Sequence, residues 1–392
     1  FSSFMKEVSE RERDLPRTII EKLTKLASES KETLSLSIGE PDFSMPRPLV
    51  KDLKKIVRKH KKNKLNHYTS GQGISELREA IAEKLYRENK IKVSADEVLV
   101  TAGSQQALFA GFLSALDPGE EVILSNPGYL GYIPAIELVN GVPSYVPLKE
   151  EEKFVINPDL IKKVVTKKTR IILLNSPSNP TGTVLHKKIL EEIADIAVDK
   201  DLFVFSDEAY EKLIYDGKKH ISIGSFNGMK DYVLTFHTFS KSYALCGFRL
   251  GYAAGQQKMI DAMQKSVHYM SLCPSHLSQL LGVRALHLQA KYIEKMRREY
   301  DRRRLFLVQR LNEMGLPTVK PEGAFYTFSN ISAYNKNSLA FANALLKKEK
   351  VAVVPGTEFG SAGEGYIRCS YATEYIKIEK AMHRLERFLK KH

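Results

Sequence analysis

The sequence predicts an α/β protein: a large domain on an open, mostly parallel sheet covered by helices, with a smaller α+β domain beside it. Three observations lead there. The 392 residues exceed one average domain. Between residues 98 and 254, short apolar stretches alternate with helical ones, as in a sheet with helical crossovers. Beyond about residue 276 the character changes to long helical stretches with isolated strands.

The strands expected in the first part are Val98–Thr101, Glu121–Leu124, Arg170–Leu174, Leu202–Phe205, Tyr232–Phe236 and Leu250–Ala254. Each is a short apolar or β-branched run, the pattern of strands buried on both faces. Ser104–Leu116, Leu185–Lys200 and Gln256–Met270 carry apolar residues at helical spacing. Ser275–Met314 reads as one or two long helices, Gly323–Phe328 and Val351–Val354 as strands, and Glu374–Lys391 as a closing amphipathic helix. Leu34–Ile38 also has strand character. The expected division is 46–288 for the large domain, with 1–45 and 289–392 forming an arm and the small domain.

A composition of 43% hydrophobic and 27% charged residues suits a globular chain with a large core. No apolar run is long enough to span a bilayer, and Phe1 to Asp14 lack the apolar stretch of a secretory signal. Cys246, Cys273 and Cys369 show neither metal nor disulfide spacing, as expected of reduced thiols in the cytoplasm. The net charge of +14 raises the question of nucleic acid. Its densest source, Lys51 to Lys64, has Leu53, Ile56 and Val57 at helical spacing, so its charges form the outer face of an amphipathic helix. A second cluster, Arg297 to Arg304, includes Glu299 and Asp301. Neither interleaves aromatics as a single-strand binding surface does, so no nucleic-acid role is expected. Attraction for small phosphates and carboxylates is the better inference. Gly71-Gln72-Gly73 imitates the start of a dinucleotide fingerprint, but Glu76 takes the third glycine's place and no clear strand precedes it.

Open parallel sheets place ligands at the carboxyl ends of their strands. Reading there yields a cluster of motifs. After Tyr232–Phe236 come Thr238-Phe239-Ser240-Lys241 and then Gly247-Phe248-Arg249-Leu250-Gly251. After Leu202–Phe205 come Asp207, Glu208 and Tyr210, and after Arg170–Leu174 comes the rigid loop Asn175-Ser176-Pro177-Ser178-Asn179-Pro180-Thr181-Gly182. Gly103-Ser104-Gln105 opens a helix, where free N–H groups and the dipole favour an anion. Tyr129 follows the next strand. Singly, each has a plain structural explanation: a solvated lysine, an Asp N-cap, a turn, a Ser N-cap, a packed tyrosine.

Together they resemble the class I aminotransferases, fold-type I enzymes dependent on pyridoxal 5′-phosphate (PLP). The resemblance runs from about residue 16 to the C-terminus and implies a role for each. Lys241 would hold PLP as a Schiff base, and Asp207 would pair with its ring nitrogen. Tyr210 and Asn179 would reach the phenolic oxygen. Gly103, Ser104, Gln105, Thr238, Ser240 and Arg249 would surround the phosphate, and Tyr129 would stack on the ring. Two departures stand out: Thr238 replaces the usual Gly or Ser, keeping a hydroxyl, and Ser176 replaces a proline.

On the substrate side, Ser37-Ile38-Gly39-Glu40-Pro41-Asp42-Phe43 resembles the family's N-terminal turn, in which Ile38 and Gly39 face the substrate. Arg368 would grip the α-carboxylate, with Asn179 nearby. Tyr68, in His67-Tyr68-Thr69-Ser70-Gly71, would enter the neighbouring subunit's site, which implies a homodimer with shared active sites. Gly323-Ala324-Phe325-Tyr326 and Val354-Pro355-Gly356 resemble the prokaryotic-type subgroup of aspartate and aromatic aminotransferases. Some acid-selective members use a lysine where Gln105 stands here. The expected reaction is therefore transamination in amino-acid metabolism, with an aromatic or broad range of L-amino acids, aspartate included, and a 2-oxo acid such as 2-oxoglutarate. Lys241 would move the substrate's Cα proton as base and then acid. The alternatives are a PLP lyase on the same scaffold (a carbon–sulfur β-lyase or a cyclopropane-forming synthase) and a non-catalytic PLP-fold regulator.

Overall fold

The computed structural model describes residues 8–16, 18, 19, 23 and 32–391. The rest of the expected arm, including residues 1–7, lies outside the described residues.

In chain order the strands are β1 (Leu34–Ser35), β2 (Val98–Thr101), β3 (Glu121–Asn126), β4 (Val142–Pro147), β5 (Thr169–Asn175) and β6 (Phe203–Asp207). There follow β7 (Val233–Thr238), β8 (Gly251–Ala254), β9 (Tyr326–Asn330), β10 (Val351–Ala352), β11 (Val354–Pro355) and β12 (Tyr366–Ser370). Seven of them form one sheet in the order β2-β8-β7-β6-β5-β3-β4. Pairings from β4 through β7 are parallel, and β8 runs antiparallel to both of its neighbours. The mostly parallel α/β architecture is thus the one the sequence predicts.

The strands are buried because alternate side chains enter different cores. Ile171 and Leu173 of β5 join Phe205 and Phe236 beneath the helix Ser104–Ala115. Ile172 and Leu174 point the other way, onto Ile193, Ile196 and Ala197 of the helix Lys187–Lys200. Helices therefore cover both faces, and the strands read as continuous apolar runs.

One strand was not anticipated. β4, Val-Pro-Ser-Tyr-Val-Pro, is the sheet edge and leaves Val142 and Tyr145 exposed. Its two prolines argue against a central strand and are tolerated at an edge, where a missing N–H costs no ladder bond. Elsewhere boundaries shift. The long stretch after Ser275 is two helices, His276–Leu286 and Ala290–Glu313. The strand expected from Gly323 begins only at Tyr326, because Ala324 adopts a left-handed backbone (φ 59°) that a ladder does not accept. Val351–Val354 splits between two sheets: β10 pairs with β1, and β11 with β12, which also pairs with β9.

A further core gathers Met296, Leu307, Phe325, Phe341, Ile378 and Leu385 from the C-terminal helices and strands. Ala209, Tyr210, Leu213 and Tyr215, which follow β6, pack into this core. That segment ties the large sheet to the C-terminal elements, and the cavity described next opens beside it. Among the described residues no helix is long and apolar enough to cross a membrane.

Candidate active site

The reversed direction of β8 explains how distant motifs meet. Its first residue, Gly251, pairs with Thr101 and with Thr238, the last residues of β2 and β7. The start of β8 therefore lies at the same sheet edge as the ends of the parallel strands. At this edge is a cavity of about 310 Å³. It is lined by Gly39, Ser104, Gln105, Tyr129, Asn179, Asp207, Tyr210, Thr238, Ser240, Lys241, Arg249 and Arg368. Gly103 stands behind Ser104. Ile38 lines an adjoining opening that shares Gly39, Ser240, Lys241 and Arg249 with the cavity. Tyr68 is not brought in; its side chain is 82% exposed.

At one end the residues suit an oxyanion. Gly103 has φ 82°, and a Cβ there would stand 2.6 Å from Nη2 of Arg249. A glycine is needed for the backbone and for the guanidinium's approach to the first turn of the helix Ser104–Ala115. The Thr238 hydroxyl accepts from the Ser240 N–H at 3.1 Å, which fixes the turn that presents Lys241. The combination of a helix N-terminus, hydroxyls and an arginine fits a phosphate.

At the middle lies Asp207, buried, whose Oδ2 accepts from the Tyr132 phenol at 2.6 Å and whose Oδ1 accepts from the Ala209 N–H at 3.2 Å. Burial pushes its pKa up, and the Tyr132 and Ala209 donors oppose that rise. A cationic partner such as a pyridinium nitrogen would complete it. Tyr129 packs edge-on against Tyr132, with ring centroids 5.1 Å apart, and donates to Gln105 Oε1 at 3.1 Å. Burial and then the nearby Asp207 push the Tyr129 phenol up to about 12.

At the other end Arg368 is buried. It donates to Asn179 Oδ1 at 2.9 Å and to the Ser37 carbonyl at 2.7 Å, and among the described residues its Nε has no partner. Tyr326 lies over the guanidinium, 4.3 Å from ring centroid to carbon, with Phe359 at 4.9 Å. Burial lowers the Arg368 pKa, the consequence of enclosing a cation without a counter-anion. A carboxylate ligand is what this arginine lacks.

Lys241 donates to the Gly39 carbonyl, and its amine is 5.9 Å from the ring centroids of Tyr210 and Phe325. Tyr210 and Tyr326 share a 2.7 Å hydrogen bond between their hydroxyls. What occupies the space beside Gly39 is Tyr326, whose hydroxyl would stand 2.6 Å from a Cβ there.

The donor set fits PLP group by group: oxyanion cradle, buried acid, covering aromatic, amine and orphaned arginine. Sequence reasoning did not assign Tyr132, Tyr326, Leu108, Leu130, Asn175 or Thr18, which also line the cavity. Tyr326 lay within the quoted Gly-Ala-Phe-Tyr segment, which was the one available signal. Tyr132 carried none, since Tyr-Ile-Pro-Ala-Ile reads as ordinary helix packing.

Comparison with known proteins places the chain among characterised families. Residues 31–385 match the family model described as aminotransferase class I and II. An aspartate aminotransferase from Pyrococcus abyssi is 47% identical over 374 residues, 95% of each chain. An aromatic-amino-acid aminotransferase from Thermococcus litoralis is 44% identical over 374 residues, again 95% of each. Among solved structures, an aromatic aminotransferase from Pyrococcus horikoshii superposes with a TM-score of 0.89 at 47% identity, covering 94% of this chain and 99% of that one. A Thermus thermophilus aspartate aminotransferase with maleate gives a TM-score of 0.93 at 35% identity, covering 98% and 100%.

Proposed function

The chain belongs to the class I and II aminotransferases and is a PLP-dependent transaminase acting on amino acids and 2-oxo acids, and we propose that its preferred amino donors are aromatic or broad in range, with 2-oxoglutarate as acceptor. When bound, the cofactor supplies an aldehyde carbon that takes up the amino group and a ring that accepts electrons from Cα. Lys241 would hold it, and its free amine would take the proton from the substrate's Cα and return one. Asp207 keeps the ring nitrogen protonated, and Tyr210 with Asn179 hydrogen-bonds the phenolic oxygen. Gly103, Ser104, Gln105, Thr238, Ser240 and Arg249 hold the phosphate, and Tyr129 covers the ring. Arg368 grips the α-carboxylate with its planar fork, beside Ile38 and Gly39.

The observation that carries the specificity is the charge census of the cavity. Among the described residues, its lysine and arginine side chains are Lys241, Arg249 and Arg368, and each has a role with the cofactor or the α-carboxylate. The wall position next to the phosphate loop is the neutral Gln105, flanked by Tyr129, Leu108 and Leu130. That surface suits a ring better than it suits a second carboxylate.

A homodimer with shared sites is the assembly proposed, and the exposed Tyr68 supports it. Its loop rests on the end of the helix Gln257–Ser271, with the Thr69 N–H on Cys273 Sγ at 3.4 Å. Tyr269 and Met270 in that helix's last turn are exposed as well, so this face has the apolar surface that a second copy would cover. Residues 46–288 would be the cofactor-binding unit, and 1–45 with 289–392 the arm and small unit. Three free cysteines accord with a cytoplasmic role in amino-acid biosynthesis.

The test is a panel of amino donors with 2-oxoglutarate, following oxo-acid product. Phenylalanine and tyrosine should exceed aspartate in kcat/KM; a strong preference for aspartate would overturn the aromatic reading. Pyruvate and ammonia released from a cysteine conjugate without acceptor would favour the lyase. Lys241→Ala should abolish turnover and the absorbance of the imine between Lys241 and the cofactor.

A further inference from the structure

The turn after β6, Asp207-Glu208-Ala209-Tyr210-Glu211, sends its side chains two ways. Asp207 and Tyr210 line the cavity. Glu208 and Glu211 enter a second polar centre, closed off from solvent. Glu208, 1% exposed, accepts from Ser206 Oγ at 3.0 Å, Ser222 Oγ at 2.6 Å and Asn89 Nδ2 at 3.3 Å, and faces His220 Nε2 at 2.6 Å. Glu211 accepts from Asn89 Nδ2 at 2.7 Å and pairs with the buried Lys84, which also donates to Asn89 Oδ1 at 2.8 Å.

His237 closes the cluster from the neighbouring strand. It is 2% exposed and stacks on Tyr252, and its ring nitrogens stand 3.3 Å from Glu211 and 3.6 Å from Glu208. Next to His237 is Thr238, which caps the turn carrying Lys241. The centre therefore lies behind both strand ends that carry the cavity's acid, phenol and lysine, and the Glu208 N–H bonds the Phe236 carbonyl at 2.9 Å across them.

Burial pushes Glu208 up, but His220 and His237 bring it below its ordinary value, while Glu208 in turn raises His220 against the effect of burial. Two carboxylates thus face Lys84 and the imidazole ring of His220. Glu208, Glu211 and His220 have donor atoms within 4.8 Å of one another, as a metal site would. Yet the contact at 2.6 Å between Glu208 and His220 is a hydrogen bond, and Lys84 already supplies the cation. The arrangement is an ion-pair network in which Glu208, Lys84 and His237 are buried and Glu211 and His220 nearly so.

We propose that Glu208 and Glu211 are positioning residues for Asp207 and Tyr210: the pair buried behind the turn fixes the direction and the electrostatic setting of the pair in front. This rests on the PLP reading of the cavity. Their carboxylates also add negative potential near the lysine-bound cofactor, so neutralising one destabilises a proton held at Lys241.

The test uses the PLP-loaded enzyme and Glu208→Gln and Glu211→Gln, which keep shape and remove charge. Expected are a PLP affinity weaker by roughly tenfold and a downward shift in the pH midpoint of the absorbance of the Lys241-bound cofactor. A purely structural role would lower thermal stability and leave that midpoint in place. Wild-type affinity and midpoint in both variants would overturn the proposal. Should Glu208→Gln fail to fold, Glu211→Gln, which removes the second carboxylate's charge, carries the test, with an unmoved midpoint again overturning it. A wild-type protein showing no Lys241-dependent absorbance would overturn the cofactor reading instead.

Discussion

The phenol of Tyr132 donates a 2.6 Å hydrogen bond to Oδ2 of Asp207 inside the protein. Tyr132 lies on the short helix Tyr132–Leu138, in the crossover from β3 to β4, while Asp207 ends β6. The bond favours the ionised carboxylate against a burial that favours the neutral one. An acid so placed stays available to a pyridinium only while its donors hold.

Tyr132→Phe removes that donor and little volume. The Asp207 pKa, already raised by burial, should rise further. The carboxylate would then take up a proton at higher pH, and the acid limb of kcat/KM should move to higher pH. Loss of one hydrogen bond to a charged group amounts to about 1.5–3 kcal/mol, so kcat and PLP affinity together should fall by at least roughly tenfold at neutral pH. Stopped-flow kinetics and a cofactor titration check this; an unmoved acid limb would show that Asp207 does not depend on Tyr132.

Arg368 is preorganised by Asn179 and the Ser37 carbonyl, and stacked beneath Tyr326. Arg368→Lys keeps the charge but loses the planar fork and the stacking. The KM for amino acid and oxo acid alike should rise by about tenfold to a hundredfold, each lost charged hydrogen bond contributing about 1.5–3 kcal/mol. The cofactor spectrum without substrate should stay as in the wild type. A variant that lost its cofactor as readily as its substrate would remove Arg368 from the carboxylate role.

How far the sequence reveals all this depends on whether a residue's role is local. Lys241, Asp207 and Asn179 stand directly after apolar strands, and a strand end of a parallel sheet is itself a location. Arg249 is legible for the same reason, since β8 runs antiparallel and starts where its neighbours finish. Tyr132 and Tyr326 act across the fold, and nothing in their neighbours' periodicity distinguishes them from packing. Glu208 is the sharper lesson: beside the motif's aspartate it reads as a spectator, and only the turn's geometry sends it to a second centre. β4 was hidden by its prolines, which an edge position makes harmless.

Arg304 offers a prediction about stability away from the site. It is fully buried, 4.5 Å over the Tyr215 ring, and pairs with Asp216 and Asp301 while donating to the Pro321 carbonyl. Arg304→Ala should cost about 1–3 kcal/mol in urea unfolding, since a large buried side chain is lost from over the Tyr215 ring and the Pro321 carbonyl loses its donor. Arg304 holds the Asp216 carboxyl well below the usual range. A depressed folded pKa gives stability that is present above the unfolded value of about 3.9 and lost as pH falls below it. The variant should therefore show a flatter stability profile at acid pH. An equal acid sensitivity in both proteins would count against the pair.

Gln105 is the residue on which specificity turns. It sits in the first turn of the helix Ser104–Ala115, on the cavity wall, and its side-chain oxygen accepts from Tyr129. An amide there can donate to a distal carboxylate but brings no charge, so an acidic side chain entering this site exchanges its water for one neutral donor. Gln105→Lys would supply the charge. Two opposite charges about 4 Å apart attract by about 4 kcal/mol at an effective dielectric of 20, and desolvation takes back part of it. The ratio of kcat/KM for aspartate to that for phenylalanine should rise at least roughly tenfold, mainly through a lower KM for aspartate. Phenylalanine should lose little, because the tyrosine and leucine surface it would use remains. Steady-state kinetics with both donors and 2-oxoglutarate decide the matter. If the ratio does not move, the distal group of the substrate lies elsewhere and the Gln105 side chain serves to hold Tyr129 in place beside the phosphate loop.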